Sequence, residues 1–138
     1  RTGSYFIEGD EFHSKKNISK MKSGIPLNDE DRYDWLKKIS KEISIKIKEN
    51  NVVVACSALK EKYRDILITN NQISFIYLKI DKKTCTFRLK NRPDHFMPDT
   101  LVESQFLTLE EPNNSIICNA NDKIEKIIVY LIPKMKLQ

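Results

Sequence analysis

The stretch Val52-Val53-Val54-Ala55-Cys56-Ser57-Ala58-Leu59-Lys60 decides the fold class. Its first four residues form an apolar run that is short enough to be a buried parallel strand. Ser57 begins a turn, and the sequence predicts a helix after it that carries Tyr63, Ile66 and Leu67. A strand that turns directly into a helix is typical of α/β proteins.

The residues before this stretch also alternate between strand and helix patterns. They predict a strand over 4–8, a helix over 14–21 that Ser14 caps, and a longer helix that Asn28 or Asp29 caps. Trp35 lies beside the apolar stripe of the longer helix. The stripe recurs at steps of three and four residues and consists of Leu36, Ile39, Ile43 and Ile47.

The same alternation continues after the stretch. We expect a strand, a helix, a second helix that begins at Pro98 or Asp99 and runs through Glu110, a strand and a final helix from Asp122. The first two of these elements cover 74–79 and 82–91, and the later strand covers 115–118. The sequence therefore predicts one α/β domain over 1–138 with a mainly parallel sheet.

Composition and charge limit the classes of protein that fit. The 138 residues suit one domain, and 40% apolar with 31% charged residues favour a globular chain. The apolar stretches are too short to cross a membrane. The net charge of +5 could attract nucleic acid, but no RNA-binding aromatic signature or zinc-finger spacing accompanies the lysines. We therefore expect solvated lysines and no nucleic-acid partner.

Three widely spaced cysteines point to a reducing, cytoplasmic setting. With only two histidines, no Cys/His cluster has the spacing of a zinc site. Cys56 follows an apolar strand, and neither His13 nor His95 is close to it in sequence. A buried structural thiol is therefore a better reading of Cys56 than a nucleophile.

Polar residues follow the predicted strands, where ligands bind in open α/β sheets. Glu8 and Asp10 end the first strand, and two carboxylates there could serve a metal and a hydroxyl group respectively. Spacing alone favours a plainer reading, in which they form a turn with a helix cap.

Two pairs of cations are spaced four residues apart, so each pair shares a helical face. Lys60 and Arg64 could clamp a carboxylate or phosphate, although Arg64 could equally pair with Asp65 or Glu61. Arg88 and Arg92 could neutralise a transferring phosphate beside a mobile loop, or simply lie on a charged exposed helix.

Several longer runs occur together and in a fixed order. They are Gly9-Asp10-x-x-His13, Asn17-x-x-Lys20-Met21, Gly24-x-Pro26-Leu27-Asn28-Asp29-x-Asp31-Arg32-x-x-Trp35-Leu36, Ala55-Cys56-Ser57-Ala58-Leu59-Lys60-x-x-Tyr63-Arg64-Asp65, Arg88-Leu89-x-x-Arg92-x-x-His95-Phe96 and Gln105-Phe106-x-Thr108-Leu109-Glu110-x-Pro112. In this order and register the chain resembles the gluconokinase family over nearly its whole length.

The resemblance implies a three-layer P-loop kinase fold related to shikimate and adenylate kinases. It also implies phosphorylation of D-gluconate by ATP and Mg²⁺ to give 6-phosphogluconate. By position, Asp10 would bind the substrate hydroxyls and help to deprotonate the attacking one. Glu8 would support the magnesium shell, where the family more usually has Asp. Relatives are commonly homodimers.

The resemblance assigns the remaining site residues as well. His13, Lys60 and Arg64 would line the gluconate site, with the two cations holding the substrate carboxylate. Arg88 and Arg92 would belong to a lid near 88–97 that neutralises the transferring phosphate. Pro93-Asp94 stands where relatives often have a Lys-Gly-like pair, which affects the expected flexibility of the lid.

The family's phosphate-binding loop does not occur in these residues. The only glycines are Gly3, Gly9 and Gly24, and none precedes a lysine, so there is no Gly-Lys-Ser/Thr motif. The resemblance places that loop, with its strand and helix, before the segment equivalent to 5–6. We therefore expect about 30 preceding residues in the working protein, and we expect the 138 residues alone to lack ATP-dependent activity.

The resemblance also places the absent strand in the middle of the sheet, between the strands over 52–55 and 74–79. Two other functions remain open. One is a non-catalytic sugar-acid-binding or regulatory relative that keeps Asp10, Lys60 and Arg64. The other is a kinase of the same fold that acts on another small hydroxylated acid.

Overall fold

The computed structural model describes residues 2–68, 72–92, 98 and 101–135. The strands are β1 (Tyr5–Glu8), β2 (Val52–Ala55), β3 (Phe75–Lys79) and β4 (Ser115–Asn119). The α-helices are α1 (Lys15–Lys22), α2 (Asp29–Lys46), α3 (Glu61–Ile68), α4 (Lys82–Lys90), α5 (Val102–Thr108) and α6 (Ile124–Leu131), and short 3₁₀ helices cover Gly9–Phe12 and Ile132–Lys134. Among the described residues, no helix is both long and apolar enough to cross a bilayer.

The strands pair in parallel, which confirms the predicted α/β class. β1 pairs with β2, so that Tyr5 lies opposite Val52 and Glu8 opposite Ala55. β3 pairs with β4, so that Phe75 lies opposite Ser115. Within the described parts of the chain the strands form two separate pairs, β1–β2 and β3–β4, rather than one continuous sheet.

A cleft of about 410 Å³ lies between β2 and β3. Its walls include Val54 and Ala55 of β2, Ile76 and Leu78 of β3, and Phe106 of α5. Because β2 has a hydrogen-bonded neighbour only on its β1 side in the described structure, its three valines are half-buried and Ala55 is exposed. The prediction of a fully buried second strand is therefore wrong for the chain in this form.

The main core forms where α2 packs against β1 and α3. Leu36 and Ile39 are 0% exposed, as expected for a stripe that faces inward. Ile47 was expected to continue the stripe but is 45% exposed, because α2 ends at Lys46. The buried members of this core are Ile7, Trp35, Leu36, Ile39, Ile43, Tyr63 and Leu67.

Side-chain caps explain where the first helices begin. The Ser14 hydroxyl accepts a hydrogen bond from the Asn17 backbone N–H at 3.1 Å, as predicted for the start of α1. At the start of α2, the Asn28 side chain accepts from the Asp31 N–H, and the Asp31 carboxylate accepts from the Asn28 N–H. This reciprocal capping box selects Asn28 over Asp29 as the cap.

Helix α5 is shorter than predicted. It begins at Val102, whereas Asp99 lies outside the described residues, and it ends at Thr108 rather than Glu110. The backbone N–H of Glu110 donates to the Leu59 carbonyl at 2.8 Å. Because this tertiary hydrogen bond uses the N–H that another turn of helix would need, the chain leaves the helix at Leu109.

Gly9 allows the ends of β1 and β2 to approach each other closely. A Cβ atom at this position would lie 2.5 Å from the Ala55 carbonyl oxygen and 3.3 Å from the Cys56 Cα atom. Both of these atoms belong to backbone, which cannot rotate away as a flexible side chain would. The residue that follows β1 must therefore be glycine for the polar groups after the two strands to meet.

We expect Gly9→Ala to lower the free energy of unfolding by about 1–3 kcal/mol, because the new methyl group overlaps backbone atoms. Urea denaturation monitored by circular dichroism measures the loss. Glu11→Ala, in the same 3₁₀ helix but exposed, is the control and should change stability by less than about 0.5 kcal/mol. Equal effects of the two substitutions would contradict the close approach.

Candidate functional site

The carboxylates that follow β1 form a capped turn beside the end of β2. The Glu8 carboxylate accepts a hydrogen bond from the Asp10 backbone N–H at 3.4 Å and caps the 3₁₀ helix. Burial, with a smaller effect of the Asp10 and Glu8 charges, raises the pKa of the Cys56 thiol to about 12. The thiol is therefore protonated at neutral pH, which supports the prediction that Cys56 is structural.

The same carboxylates are compatible with a magnesium ion that keeps most of its water. Within the described residues, no group of three or more His, Cys, Asp or Glu side chains could hold a metal. Mg²⁺ typically takes one or two carboxylates and completes its shell with water and substrate phosphates. Glu8 and Asp10 supply that number of carboxylates, and the predicted role of Glu8 as a ligand through water stays a prediction.

His13 is held flat against the core. Its ring stacks on Trp35 with centroids 4.1 Å apart and planes 15° from parallel. The Trp35 indole N–H donates to the Gly9 carbonyl at 2.7 Å, which fixes the ring beneath His13. Burial and, to a smaller extent, the Arg32 charge lower the pKa of His13 to about 4. His13 is therefore neutral at pH 7.

A polar network joins the start of α2 to the start of α3. The guanidinium of Arg32 donates to the Tyr63 hydroxyl at 3.1 Å and lies over the Tyr63 ring. The Tyr63 hydroxyl donates to the Asp29 carboxylate, which also accepts from Lys60 at 3.3 Å. Hydrogen bonds from Lys62, Tyr63 and Lys60 hold the pKa of the Asp29 carboxyl well below its usual range. Lys60, one of the predicted substrate residues, is thus positioned by an ionised carboxylate.

Arg64 has different partners from Lys60. Its guanidinium donates to the carbonyl oxygens of Ala58 at 2.8 Å, Leu59 at 3.2 Å and Glu110 at 2.9 Å. Lys60 precedes α3 rather than lying within it, so its side chain turns to α2. The Lys60 carbonyl nevertheless accepts a helical hydrogen bond from the Arg64 N–H at 3.1 Å, so the two residues are one helical turn apart. Their side chains have different partners, and Arg64 ties the loop after β2 to the segment after α5.

The structure places Arg88 in the last turn of α4 and Arg92 just beyond the end of that helix. The Arg88 guanidinium donates to the Ala120 carbonyl at 3.0 Å, and Arg92 is exposed. α4 is joined to α5 by the ion pair of Lys82 with Glu103. In the predicted lid over 88–97, positions 93–97, including His95, lie outside the described residues. No described contact brings the two arginines to the end of β1, so their roles stay predictions.

The chain is similar to several known proteins that share one name. The chain is 38% identical over 137 residues to the thermoresistant gluconokinase of Escherichia coli, and the match covers 95% of this chain and 78% of that protein. The chain belongs to the gluconokinase family. It is also similar to the solved structure of a gluconokinase from Sinorhizobium meliloti, with a TM-score of 0.81, 35% identity and coverage of 95% and 76%.

Other gluconokinase relatives are covered less completely. The thermosensitive gluconokinase of E. coli is 44% identical over 109 residues, a match that spans 78% of this chain but 58% of that protein. A relative from Saccharomyces cerevisiae is 46% identical over 114 residues, with 59% of its length covered. The chain thus spans less than two thirds of these relatives. No protein-family model matches it.

The sequence did not reveal which residues of this gluconokinase-family chain hold the predicted site residues in place. Asp29, Arg32 and Trp35 occur in the matching runs, but none of them was predicted to take part in the site. Asn17 was also passed over, although it is 4% exposed and contacts His13. One signal was present: Asn17 lies four residues before Met21, so it shares a helical face with a core residue.

Tyr63→Phe tests the network between α2 and α3. Removing the hydroxyl deprives buried Arg32 and the Asp29 carboxylate of a partner, so the free energy of unfolding should fall by about 1–3 kcal/mol. Urea denaturation measures the change. Tyr33→Phe is the matched control, because Tyr33 is 49% exposed and its substitution should cost less than about 0.5 kcal/mol. A neutral Tyr63→Phe variant would refute the network's contribution.

His13 should make stability depend on pH in one direction. The folded-state pKa of about 4 lies below the ordinary value of 6.5, so the unfolded state binds the proton more readily. The contribution of His13 to stability is therefore complete above pH 6.5 and is lost as the pH falls toward 4. His13→Gln should flatten the fall in the unfolding free energy over this range. Parallel curves for the two proteins would contradict the lowered pKa.

Proposed function

We propose that this protein is part of an enzyme that phosphorylates D-gluconate with ATP and Mg²⁺ to give 6-phosphogluconate. The observation that carries the proposal is the parallel pairing of β1 with β2, which sets Glu8 opposite Ala55. This pairing puts the Asp10 carboxylate and the loop that leads to Lys60 at the same edge of a parallel pair. The names of the relatives, one of them a solved structure, support the substrate.

Gluconate is a flexible chain of hydroxyl groups that ends in a carboxylate, so its site needs a cation and several hydrogen-bonding groups. Lys60 is the proposed partner of the substrate carboxylate, because the family resemblance assigns it there and it is a cation in the loop after β2. Asp10 would accept hydrogen bonds from substrate hydroxyls, and neutral His13 would add a polar contact. Arg64 would act by holding the loop over 58–59, since three backbone carbonyls already engage its guanidinium.

The proposed chemical step needs a base at the attacking hydroxyl and positive charge at the transferred phosphate. ATP, when bound, supplies the γ-phosphoryl group, and Mg²⁺ offsets its charge. Asp10 would take the proton of the substrate hydroxyl. Glu8 would orient water around the magnesium ion. Arg88 on α4 and Arg92, just beyond the end of that helix, would neutralise the phosphate as the lid closes.

We further propose that a segment outside these 138 residues contributes the Gly-Lys-Ser/Thr loop that cradles the phosphates. The cleft between β2 and β3 supports this proposal, because an extended strand placed there would join the two parallel pairs into one sheet. A strand at that position would also bring the loop that follows it to the edge where Asp10 lies. The loop backbone and its lysine would then bind the phosphates.

A cytoplasmic setting and a homodimer complete the proposal. Cys56, Cys85 and Cys118 are all free, which suits a reducing compartment. The homodimer is proposed from the family resemblance alone.

A coupled assay with ATP and gluconate tests the proposal on two proteins. One is the 138-residue chain, verified by intact mass, and the other is a version extended upstream to include a Gly-Lys-Ser/Thr loop. We expect turnover only with the extended protein. Turnover by the short chain would contradict the proposed origin of the phosphate cradle, and inactivity of both towards every sugar acid tested would contradict the kinase itself.

Asp10→Asn in the extended protein tests the proposed base. It keeps the size of the side chain but removes its ability to accept a proton, so kcat should fall by about 10²-fold or more. Asp34→Asn is the matched control, because Asp34 is exposed on α2, and it should leave kcat unchanged. A fall in kcat of less than tenfold in Asp10→Asn would assign the proton transfer to another group.

A further inference from the structure

Buried Asn17 makes two hydrogen bonds through one nitrogen atom. Its Nδ2 donates to the Asp31 carbonyl oxygen at 2.9 Å and lies 3.4 Å from Nδ1 of His13. Asn17 is 4% exposed, so water does not compete for either contact. Its backbone N–H is already used by the cap of α1.

The Asp31 contact fixes which end of the Asn17 amide faces His13. A backbone carbonyl oxygen can only accept a hydrogen bond, so the Asn17 atom within 2.9 Å of it must be the NH₂ group. The amide cannot be turned over without placing two oxygen atoms against each other. The second hydrogen of the same NH₂ group is therefore available to the His13 ring.

The direction of this second bond determines where the neutral imidazole carries its proton. An NH₂ group can only donate, so Nδ1 of His13 must present its lone pair. A proton on Nδ1 would instead oppose the amide hydrogen at 3.4 Å between the nitrogens. In a neutral ring the proton then lies on Nε2, because one nitrogen donates while the other accepts.

We propose that Asn17 is a positioning residue that holds His13 in the neutral form protonated on Nε2, so that His13 donates this N–H to an oxygen of the substrate. The role toward substrate rests on the proposed function, whereas the tautomer rests on the Asn17 contacts alone. Trp35 fixes the plane of the ring by stacking, and Asn17 fixes its protonation.

The Asp31 carbonyl, which orients the Asn17 amide, is itself fixed by the start of α2. The Asp31 carbonyl belongs to the first turn of α2, and the Asp31 carboxylate is held by the Asn28 N–H at 3.0 Å and by Lys20 at 2.8 Å. The capping box that begins α2 therefore also fixes the carbonyl that orients Asn17. The group at this position must donate hydrogen bonds to the Asp31 carbonyl oxygen and to Nδ1 of His13. The NH₂ of an asparagine can do so, whereas the carboxylate of an aspartate can only accept.

The tautomer can be read directly by ¹⁵N NMR of the imidazole nitrogens in the labelled 138-residue chain. His13→Gln identifies the His13 signals. At pH 7 we expect Nδ1 to show the shift of an unprotonated ring nitrogen and Nε2 that of a protonated one. The reverse pattern, or equal averaged shifts for the two nitrogens, would overturn the proposal without any substitution at Asn17.

Two substitutions change the group that faces Nδ1. Asn17→Asp places an acceptor there, and its negative charge opposes the positive charge of Arg32, which lowers the pKa of His13. The proton should then move to Nδ1, or the ring should carry both protons. Asn17→Leu removes the hydrogen bond and should give a mixture of tautomers. Asn50→Asp, at an exposed asparagine, should leave the His13 signals unchanged.

Kinetics of the extended protein test the role toward the substrate separately. We expect Asn17→Leu to raise KM for gluconate by about tenfold, the effect of one lost hydrogen bond, while KM for ATP stays the same. Equal KM values for gluconate in the wild type and this variant would overturn the substrate role. An inactive extended wild type would instead refute the proposed function, and the NMR result for the tautomer would still stand.

Discussion

The burial of one face of α2 is the constraint on which the site depends. Leu36 and Ile39 are completely buried, and burying side chains of this size contributes about 1.5–3 kcal/mol each. The next residue toward the helix start, Trp35, is also in the core, yet its indole N–H reaches the turn after β1 and its ring supports His13. Adjacent residues of one helix therefore fill the core and hold the ring of His13 in place.

Near the start of the same helix, the charged side chain of Arg32 is buried together with hydrogen-bonding partners. Arg32 is 4% exposed, and its guanidinium lies between the Tyr63 hydroxyl and the Tyr63 ring. In the described part of the chain, every buried side-chain nitrogen and oxygen has a hydrogen-bond partner. A network that is complete in this way is rigid, because releasing any one group would leave another buried and unsatisfied. Rigidity at this place benefits Lys60, whose carboxylate partner Asp29 belongs to the network.

The two strand pairs leave a cleft between β2 and β3 in the described structure. β2 and β3 face a cleft and expose backbone groups that a neighbouring strand would pair, and each such group costs about 1–3 kcal/mol if it is buried without a partner. Parallel sheets in α/β proteins are usually covered on both faces. The gap predicted from the family resemblance, between the strands over 52–55 and 74–79, coincides with this cleft. The half-buried state of β2 has the same cause.

The sequence by itself determined the α/β class, the order of the elements and the family. Strand runs such as Val52–Ala55 and caps such as Ser14 act through neighbouring residues, so they can be predicted from the sequence. The sequence also indicated that Glu8, Asp10, His13 and Lys60 belong to a site. Only the tertiary structure decided what each group contacts: Arg64 binds three carbonyls, α5 stops before Glu110, and Asn17 faces His13. These contacts join residues from different elements, and hydrogen-bond partners of that kind depend on packing geometry that no local pattern encodes.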